Sequence, residues 1–175
     1  MTERGSGPEA ARLPARLAGA LASFASGVTL VTIADGRDDI GTTVSAFCPV
    51  SRDPPLILVS LIAAGYPAEV LRRLDWFAVT ILAAGQRRLA GAFAASGRPG
   101  ARLLLEETPH RRGAHSGALI PEAGLAALEC SVSERVEAGD HLLVVGLVLD
   151  VAYVSESGQP LIRFRGRYPL PGAIA

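Results

Sequence analysis

Lysine is absent from this chain of 175 residues: its 17 basic side chains are all arginine, and 17 acidic side chains balance them. The formal net charge of zero excludes a global field that would attract nucleic acid or an anionic membrane surface. The chain also lacks an apolar run of the roughly 18 residues that a transmembrane helix needs. Its N-terminal sequence, MTERGSGPEAAR, lacks the apolar core of a signal peptide. We therefore expect a cytoplasmic protein that binds neither nucleic acid nor membranes.

Cysteine is scarce, and its placement argues against a metal centre. Cys48 and Cys130 lie in separate apolar stretches with the pattern of strands, and neither forms a CxxC or other metal-binding spacing. This pattern favours two buried, reduced thiols, with a disulfide as the alternative. His110 and His115 have no carboxylate or thiol at ligand spacing, which favours exposed loop histidines. The sequence predicts no metal site.

Apolar residues and turn formers are abundant. Hydrophobic residues make up 49% of the chain, which also contains 19 glycines and 12 prolines. This balance is typical of one globular domain with a substantial core and many turns. Residues 1–10 are small and polar, and they carry too little apolar surface to offset the entropy of ordering. We predict a flexible tail over residues 1–10 and a single domain over residues 11–175.

Hydrophobic periodicity predicts a mainly β fold with a few helices. Apolar residues at helical spacing predict an N-terminal helix over Arg12–Phe24. Pro67 suits the first position of a short helix, and a further helix is predicted over Gly85–Ala95. Short apolar runs between turn residues favour a closed or nearly closed antiparallel barrel. The predicted strands are Gly27–Ala34, Gly41–Phe47, Leu56–Ile62, Phe77–Leu82, Leu125–Val136, His141–Val154 and Leu161–Tyr168.

The stretch Gly41–Ser60, GTTVSAFCPVSRDPPLILVS, is the candidate ligand surface. Thr43, Ser45 and Ser51 offer small hydroxyls, and the extended backbone around them offers N–H groups. Such donors suit a planar polar heterocycle. The same pattern also fits a core hairpin of a barrel that binds no ligand, because short apolar runs are ambiguous.

Two further features stay open at the level of residue types. The final predicted strand places Arg163, Arg165 and Arg167 on one face, which is either exposed to solvent or binds a phosphate or carboxylate. Residues 96–124 are rich in glycine and proline and too long for an ordinary connection. Such segments are usually lids, binding loops or dimer arms.

Several stretches, taken in order, carry a resemblance to a known family. They are FASGVTLVT, GTTVSAFCPVSRDPPLILVSL, FAVTIL followed by GQRRLAGAF, LECSV, AGDHLLVVGLVLDV and FRGRY. From about Phe24 to Tyr168, their order and spacing resemble the flavin reductase-like, FMN-binding split-barrel proteins, the reductase components of two-component flavin monooxygenases. The resemblance implies a six-stranded antiparallel Greek-key split β-barrel with a few flanking helices. It also implies a homodimer that binds flavin near the subunit interface.

The resemblance further implies an NAD(P)H:flavin oxidoreductase. NADH or NADPH would reduce FMN or FAD, and the reduced flavin would pass to a flavin-dependent monooxygenase. Hydride transfer needs two closely stacked rings, so the protein's task is positioning. The implied flavin-binding residues are Thr42, Thr43, Val44, Ser45, Ala46, Ser60 and Leu61. The implied nicotinamide-binding residues are Gly139, Asp140, His141, Arg165 and Tyr168, with His141 as the catalytic residue that orients the hydride donor.

The chain departs from the family at the position that holds the flavin phosphate. Where the family carries a Ser-x-Thr-like pair, this sequence has Gly65 and Pro67, so two hydroxyls are missing. Each lost hydrogen bond to a charged group costs about 1.5–3 kcal/mol. Backbone amides at the start of the Gly65–Ala68 helix are the expected replacement. Ala46 also replaces a polar residue of the family's flavin-binding segment.

These departures support an alternative: a split-barrel protein that has lost flavin reduction and binds or converts a pathway intermediate in the same cleft. The residues do not distinguish NADH from NADPH, or FMN from FAD and riboflavin.

Overall fold

The computed structural model describes residues 8–36 and 38–169. The first helix, α1, spans Pro8–Ala22, so residues 8–10, which were predicted to lie in the tail, form its first turn. Residues 1–7 of the predicted tail lie outside the described residues. The apolar stripe of α1 is exposed rather than packed on the barrel, with Leu17 and Leu21 51% and 63% exposed.

The main body is an antiparallel sheet, which confirms the mainly β prediction. In the described part of the chain this sheet has seven strands rather than six, in the order β3-β2-β6-β9-β10-β5-β4. β3 and β4 are consecutive in sequence but lie at opposite ends of this order, so the sheet is split between them. The seven strands are β2 (Thr29–Ala34), β3 (Asp39–Val44), β4 (Phe47–Arg52), β5 (Pro55–Ile62), β6 (Trp76–Ile81), β9 (Ala126–Ala138) and β10 (His141–Val154).

Shorter elements cover the ends of this sheet. β1 (Ser26–Gly27) pairs with β11 (Ile162–Arg163), and β7 (His110–Arg112) pairs with β8 (Leu119–Pro121). After β5 comes α2 (Tyr66–Arg73), and after β6 come a 3-10 turn (Ala84–Gln86), α3 (Arg87–Ala94) and α4 (Ala101–Leu104). None of the helices in residues 8–36 and 38–169 is long and apolar enough to cross a membrane.

The two largest of three buried clusters in the described part of the chain hold most of its core. The larger lies within the sheet and includes Val31, Val59, Phe77, Leu142 and Val144, all 1% exposed or less. Gly146 of β10 makes room for this cluster, because a Cβ at that position would lie 2.6 Å from Cζ of Phe77. The second cluster packs α3 and α4 against β2. Its buried members are Val28, Leu30, Leu82, Ala90, Phe93, Ala101, Leu105, Leu119 and Leu161.

Residues 96–124 are structured and tied to the sheet. Asp39 at the start of β3 accepts hydrogen bonds from Arg102 and Arg112. Glu129 of β9 accepts hydrogen bonds from the backbone N–H groups of residues 114–116 and from the Ser116 hydroxyl. Both acceptor carboxylates are buried. Their hydrogen bonds hold the segment on β3 through Asp39 and on β9 through Glu129.

The predicted row of three arginines on a final strand is wrong. The strand ends at Arg163, and the chain then turns, with Phe164 and Arg167 exchanging backbone hydrogen bonds of 2.9 and 3.0 Å. Arg165 lies in that turn with φ of 48°, and its N–H donates to Ala22 O at the end of α1. The docking of this turn on α1 therefore separates the arginines that strand alternation would have placed together.

Both cysteines are free, and burial separates them. Cys130 is buried as predicted, and burial raises the pKa of its thiol to about 12. Cys48, in the edge strand β4, is exposed, contrary to the prediction.

Candidate functional site

A cleft of about 640 Å³ lies where the sheet is split, between β3, the end of β5 and the start of α2. This volume is within the usual range for a small-molecule or cofactor site. Gly97–Gly100, His141 and Arg163 complete its walls. All seven residues expected to bind flavin line this cleft, namely Thr42, Thr43, Val44, Ser45, Ala46, Ser60 and Leu61.

The open edge of β3 supplies backbone groups to the cleft. Within residues 8–36 and 38–169, β3 pairs only with β2, and Arg98 Nε donates to Gly41 O at 2.9 Å from the unpaired side. Residues two apart in an antiparallel ladder point their backbone groups to the same side. The N–H of Thr43 therefore lies on the edge that Gly41 presents. Val44 and Leu61 also line the cleft, but their side chains are buried in the larger cluster.

The hydroxyls of Thr43 in β3 and of Ser45 just after it have different partners. Thr43 Oγ1 donates to Ala90 O of α3 at 2.7 Å, so its proton is used inside the protein. Ser45 Oγ instead accepts a hydrogen bond from Arg163 Nη1 at 3.2 Å and keeps its proton for a ligand. The structure therefore favours Ser45 over Thr43 as the hydroxyl donor of this segment.

Gly41 lets α3 approach the edge of the cleft. A Cβ at this position would lie 2.3 Å from Cε1 of the buried Phe93, which is shorter than any van der Waals contact between two carbon atoms. With glycine there, the ring of Phe93 packs directly on the β3 backbone. This contact and the hydrogen bond from Thr43 to Ala90 fix α3 beside the cleft.

His141 stands at the start of β10, opposite Ile62 at the end of β5. Its Nδ1 is 2.7 Å from Oδ1 of Asp140, whose main-chain oxygen accepts the N–H of Ala63 at 2.9 Å. The hydrogen bond to His141 lowers the pKa of the Asp140 carboxyl below its usual value. A carboxylate on Nδ1 places the ring proton there and leaves Nε2 as the other polar atom of the ring.

The expected nicotinamide residues divide into two groups. His141 lines the cleft, whereas Asp140 is 94% exposed and contacts it only through His141. Gly139 forms the turn before Asp140 with φ of 64°. Arg165 lies beside a second cavity, and Tyr168 packs against the second buried cluster. The structure therefore does not bring Arg165 and Tyr168 to the cleft.

The second cavity, of about 630 Å³, adjoins the first. Ser45, Ala46 and Arg163 line both. Its other walls are largely apolar and come from the end of α1, the turn after it and the strands β4 and β5, through Ala18, Leu21, Ala22, Phe24, Phe47, Cys48 and Leu58. Arg163 therefore stands at the boundary between a polar cleft and an apolar cavity.

The start of α2 offers fewer amides than the sequence suggested. The N–H of Gly65 donates to Ile62 O, and the N–H groups of Ala68 and Glu69 both donate to Gly65 O. Pro67 has no N–H. Of the Gly65–Ala68 amides that were expected to replace the missing hydroxyls, only that of Tyr66 has no acceptor among the described residues.

Among the cleft residues that were not predicted site residues, three have side chains that can donate hydrogen bonds: Tyr66, Arg98 and Arg163. Arg163 belonged to the arginine row noted in the sequence, but Arg98 had no signal beyond its place in a Gly- and Pro-rich segment. Together with the Thr43 N–H, the Ser45 hydroxyl and His141, these arginines form a donor-rich cleft. That set fits a flavin, which presents ring oxygens and nitrogens at one end and a phosphate at the other. Within the described residues, no group of three or more His, Cys, Asp or Glu side chains could hold a metal ion.

Comparisons with known proteins agree with this geometry. A family model described as flavin reductase like domain matches residues 21–170. The NADH-dependent FMN reductase AsuE2 of Streptomyces nodosus subsp. asukaensis is 35% identical over 149 residues, which are 85% of this chain and 80% of AsuE2. The reductase component of 4-hydroxyphenylacetate 3-monooxygenase from Thermus thermophilus is 38% identical over 149 residues, 85% of this chain and 91% of that protein. BorF, the flavin reductase component of a bacterial two-component tryptophan halogenase, has a solved structure with a TM-score of 0.83 and 33% identity, covering 89% of this chain and 96% of BorF.

Proposed function

This chain belongs to the flavin reductase like domain family, and on that premise we propose that it is an NADH-dependent flavin reductase that acts on FMN or FAD. The observation that carries the proposal is the cleft at the split of the sheet, where every residue expected to bind flavin lies. The names of its relatives support the same activity and favour NADH as the hydride donor.

The protein's own groups bind the flavin and orient the hydride donor. When bound, a flavin supplies the ring that accepts a hydride from NADH, and a solvent proton completes the reduction. The Thr43 N–H and the Ser45 hydroxyl donate hydrogen bonds at the edge of β3, and Arg163 holds Ser45 in place. His141, fixed by Asp140, orients the donor ring at the end of β5. Positioning of this kind lowers the entropy cost of bringing two rings together.

The reduced flavin is proposed to pass to a flavin-dependent monooxygenase. The relative from Thermus thermophilus is a reductase component of such an enzyme. The reductase BorF serves a halogenase, so members of this fold supply more than one class of flavin-dependent partner. For this chain, a monooxygenase is the partner that its relatives support best.

We also propose that the protein is a homodimer in the cytoplasm. The stripe of α1 and Phe24, two residues after the helix, expose large apolar side chains, at 60% for Leu13, 51% for Leu17, 63% for Leu21 and 77% for Phe24. Contiguous exposed apolar surface of this kind marks an interaction site. A second copy of the chain would cover it, and light scattering during size exclusion would measure the mass. The cytoplasmic assignment is supported by the proposed NADH dependence and the two free thiols.

The first experiment mixes purified protein anaerobically with NADH and FMN and follows bleaching of the oxidised flavin absorbance. The measurement is repeated with NADPH in place of NADH, and with FAD or riboflavin in place of FMN. Bleaching of excess flavin by catalytic amounts of protein is the expected result. Folded protein that bleaches none of the flavins would overturn the proposed function and favour a protein that binds another ligand in this cleft.

A further inference from the structure

Two arginines line the cleft without a carboxylate partner among the described residues. Arg98 donates from Nε to Gly41 O at 2.9 Å and from Nη1 to Ala95 O at 3.2 Å, both backbone carbonyls. Arg163 donates to the Ser45 hydroxyl. By contrast, Arg102 and Arg112 of the neighbouring segment are both paired with Asp39. The positive charges of Arg98 and Arg163 are therefore left for a ligand.

These two arginines lie at opposite ends of the cleft. Arg98 is bound to Gly41 within β3, and Arg163 is bound to Ser45, four residues later and just past the end of this strand. A strand rises about 3.3 Å per residue, so the two attachment points are at most roughly 13 Å apart. One end adjoins Ala46, whose carbonyl accepts the N–H of Ser60. The other end adjoins the start of α2 and residues 97–100.

The Arg98 end is built for an anion. The guanidinium is half-buried and fixed by two carbonyls, and its Nη2 has no acceptor among the described residues. Burial lowers the pKa of Arg98 from its usual value, but an arginine remains charged. Tyr66 adds a backbone N–H from the first turn of α2, where no intrahelical acceptor exists.

The acidic residues that line this end of the cleft form no ion pair with Arg98. Asp39 is compensated by its two arginine partners. Asp38 also lines the cleft, and its Oδ1 accepts the N–H of Asp39 at 2.9 Å. Gly100 packs against the same oxygen, since a Cβ there would lie 2.5 Å from it. The Asp38 carboxylate is thereby engaged in the turn before β3.

We propose that Arg98 binds the 5′-phosphate of FMN and replaces the hydroxyls that are missing at Gly65 and Pro67. This inference rests on the proposed function. In this proposal the phosphate is bound from the wall of the cleft opposite the start of α2. The Arg98 guanidinium reaches the phosphate from a segment that is anchored on β3. Hydrogen bonds between a guanidinium and a phosphate are among the stronger ones in proteins. Arg163, at the other end beside Ser45, lies too far along β3 to share this role.

The test compares two flavins that differ only in the phosphate. Equilibrium binding of FMN and of riboflavin is measured by quenching of flavin fluorescence, without NADH, for the unmodified protein and for Arg98→Gln, Arg98→Lys and Arg163→Gln. Arg98→Gln is expected to raise the Kd for FMN about tenfold or more and to leave the Kd for riboflavin within about twofold. Arg98→Lys keeps the charge and is expected to restore part of the FMN affinity.

The control variants distinguish a phosphate contact at Arg98 from a general loss of flavin binding. Arg88→Gln removes an exposed arginine of α3 outside the cleft and is expected to change neither Kd. Equal losses for FMN and riboflavin in Arg98→Gln, or no loss for either, would overturn the role of Arg98. A selective loss of FMN binding in Arg163→Gln instead would assign the phosphate to the other end of the cleft. If the unmodified protein binds neither flavin, the proposed function fails, whereas riboflavin binding with no preference for FMN overturns this inference alone.

Discussion

Asp39 and Arg112 form a bidentate ion pair, in which Nη1 of Arg112 donates to Oδ1 of Asp39 and Nη2 donates to Oδ2, each at 2.8 Å. The two residues are 73 positions apart, and Arg102 adds hydrogen bonds of 3.0 and 3.1 Å to the same carboxylate. The pair therefore fastens the segment that follows α3 to the start of β3. Because residues 97–100 of that segment wall the cleft, this ion pair also sets where Arg98 stands.

Asp39→Asn is expected to destabilise the fold. The carboxylate is only 4% exposed, and both arginines lose a charged acceptor when it becomes an amide. The arginine ends are partly solvated, so the expected loss in unfolding free energy is about 1–3 kcal/mol. Urea denaturation measures it, with Glu106→Gln as the exposed control. An unchanged midpoint for Asp39→Asn would show that the ion pair contributes nothing.

The same carboxylate predicts a dependence of stability on pH. Hydrogen bonding to Arg112 lowers the pKa of Asp39 below its usual 3.8, burial opposes this, and Arg102 lowers it further. A carboxyl whose pKa is depressed in the folded state contributes stability above its unfolded pKa and loses it as pH falls through the folded value. We expect this contribution to be complete above about pH 5 and to be lost progressively as the pH falls below 3.8 toward the lower pKa of the folded state. Asp39→Asn should flatten that part of the stability profile, and a parallel profile would contradict the assignment.

Glu129 supports the same segment from β9. Its carboxylate accepts three backbone N–H groups and the Ser116 hydroxyl, at 2.7–3.0 Å. Burial raises the pKa of Glu129, but these hydrogen bonds outweigh it and the pKa lies below the usual value. Glu129→Gln would turn an amide N–H₂ toward N–H donors, so we expect a loss of about 2–3 kcal/mol in unfolding free energy.

Two variants frame this prediction. Gly113→Ala should have a similar effect, because its Cβ would lie 2.2 Å from Oε2 of Glu129. Glu134→Gln, on the exposed part of β9, is the matched control and should leave the stability unchanged. Equal stability of Glu129→Gln and Glu134→Gln would refute a structural role for Glu129.

The hydroxyls of Thr43 and Ser45 give a paired prediction about flavin binding. Ser45→Ala removes a donor that faces the cleft and is expected to raise the flavin Kd about two- to tenfold. Thr43→Val removes a hydroxyl that is bound to Ala90 O, so it should lower stability by about 0.5–1.5 kcal/mol and change the Kd little. Fluorescence titration and urea denaturation separate the two effects. The reverse pattern would return Thr43 to the site as its hydroxyl donor.

Sequence patterns predicted most strands of the main sheet because these strands depend on local alternation. The runs that became β2, β3, β5 and β6 are apolar or β-branched and bounded by turn residues. The segment from Thr42 to Ala46, which the family resemblance implied for flavin binding, covers the end of β3 and lines the cleft.

The ends of the cleft depend on contacts between distant parts of the chain. Arg98 reaches the cleft because Asp39 and Arg112 hold its segment on β3, and no local pattern encodes a pair 73 residues apart. Arg165 left the predicted arginine row because the last strand stops at Arg163 and the chain turns onto α1. In each case a tertiary contact decided where an arginine points.

The last prediction concerns His141 and Asp140, which we expect to affect the rate of flavin reduction rather than the affinity for flavin. His141→Ala should lower kcat for flavin reduction by about ten- to a hundredfold, because a misplaced donor ring loses the alignment that hydride transfer needs. The flavin Kd should change little.

Asp140→Ala frees the imidazole without removing it, so we expect a smaller fall in kcat of roughly two- to tenfold. Asp140→Asn keeps an oxygen that can accept from Nδ1–H and should retain most of the rate, whereas Asp150→Ala, on the exposed part of β10, is the control. If Asp140→Asn were as slow as Asp140→Ala, the charge of Asp140 rather than its hydrogen bond would be what His141 needs. If His141→Ala kept full kcat, the orientation of the hydride donor would have to come from other residues of the cleft.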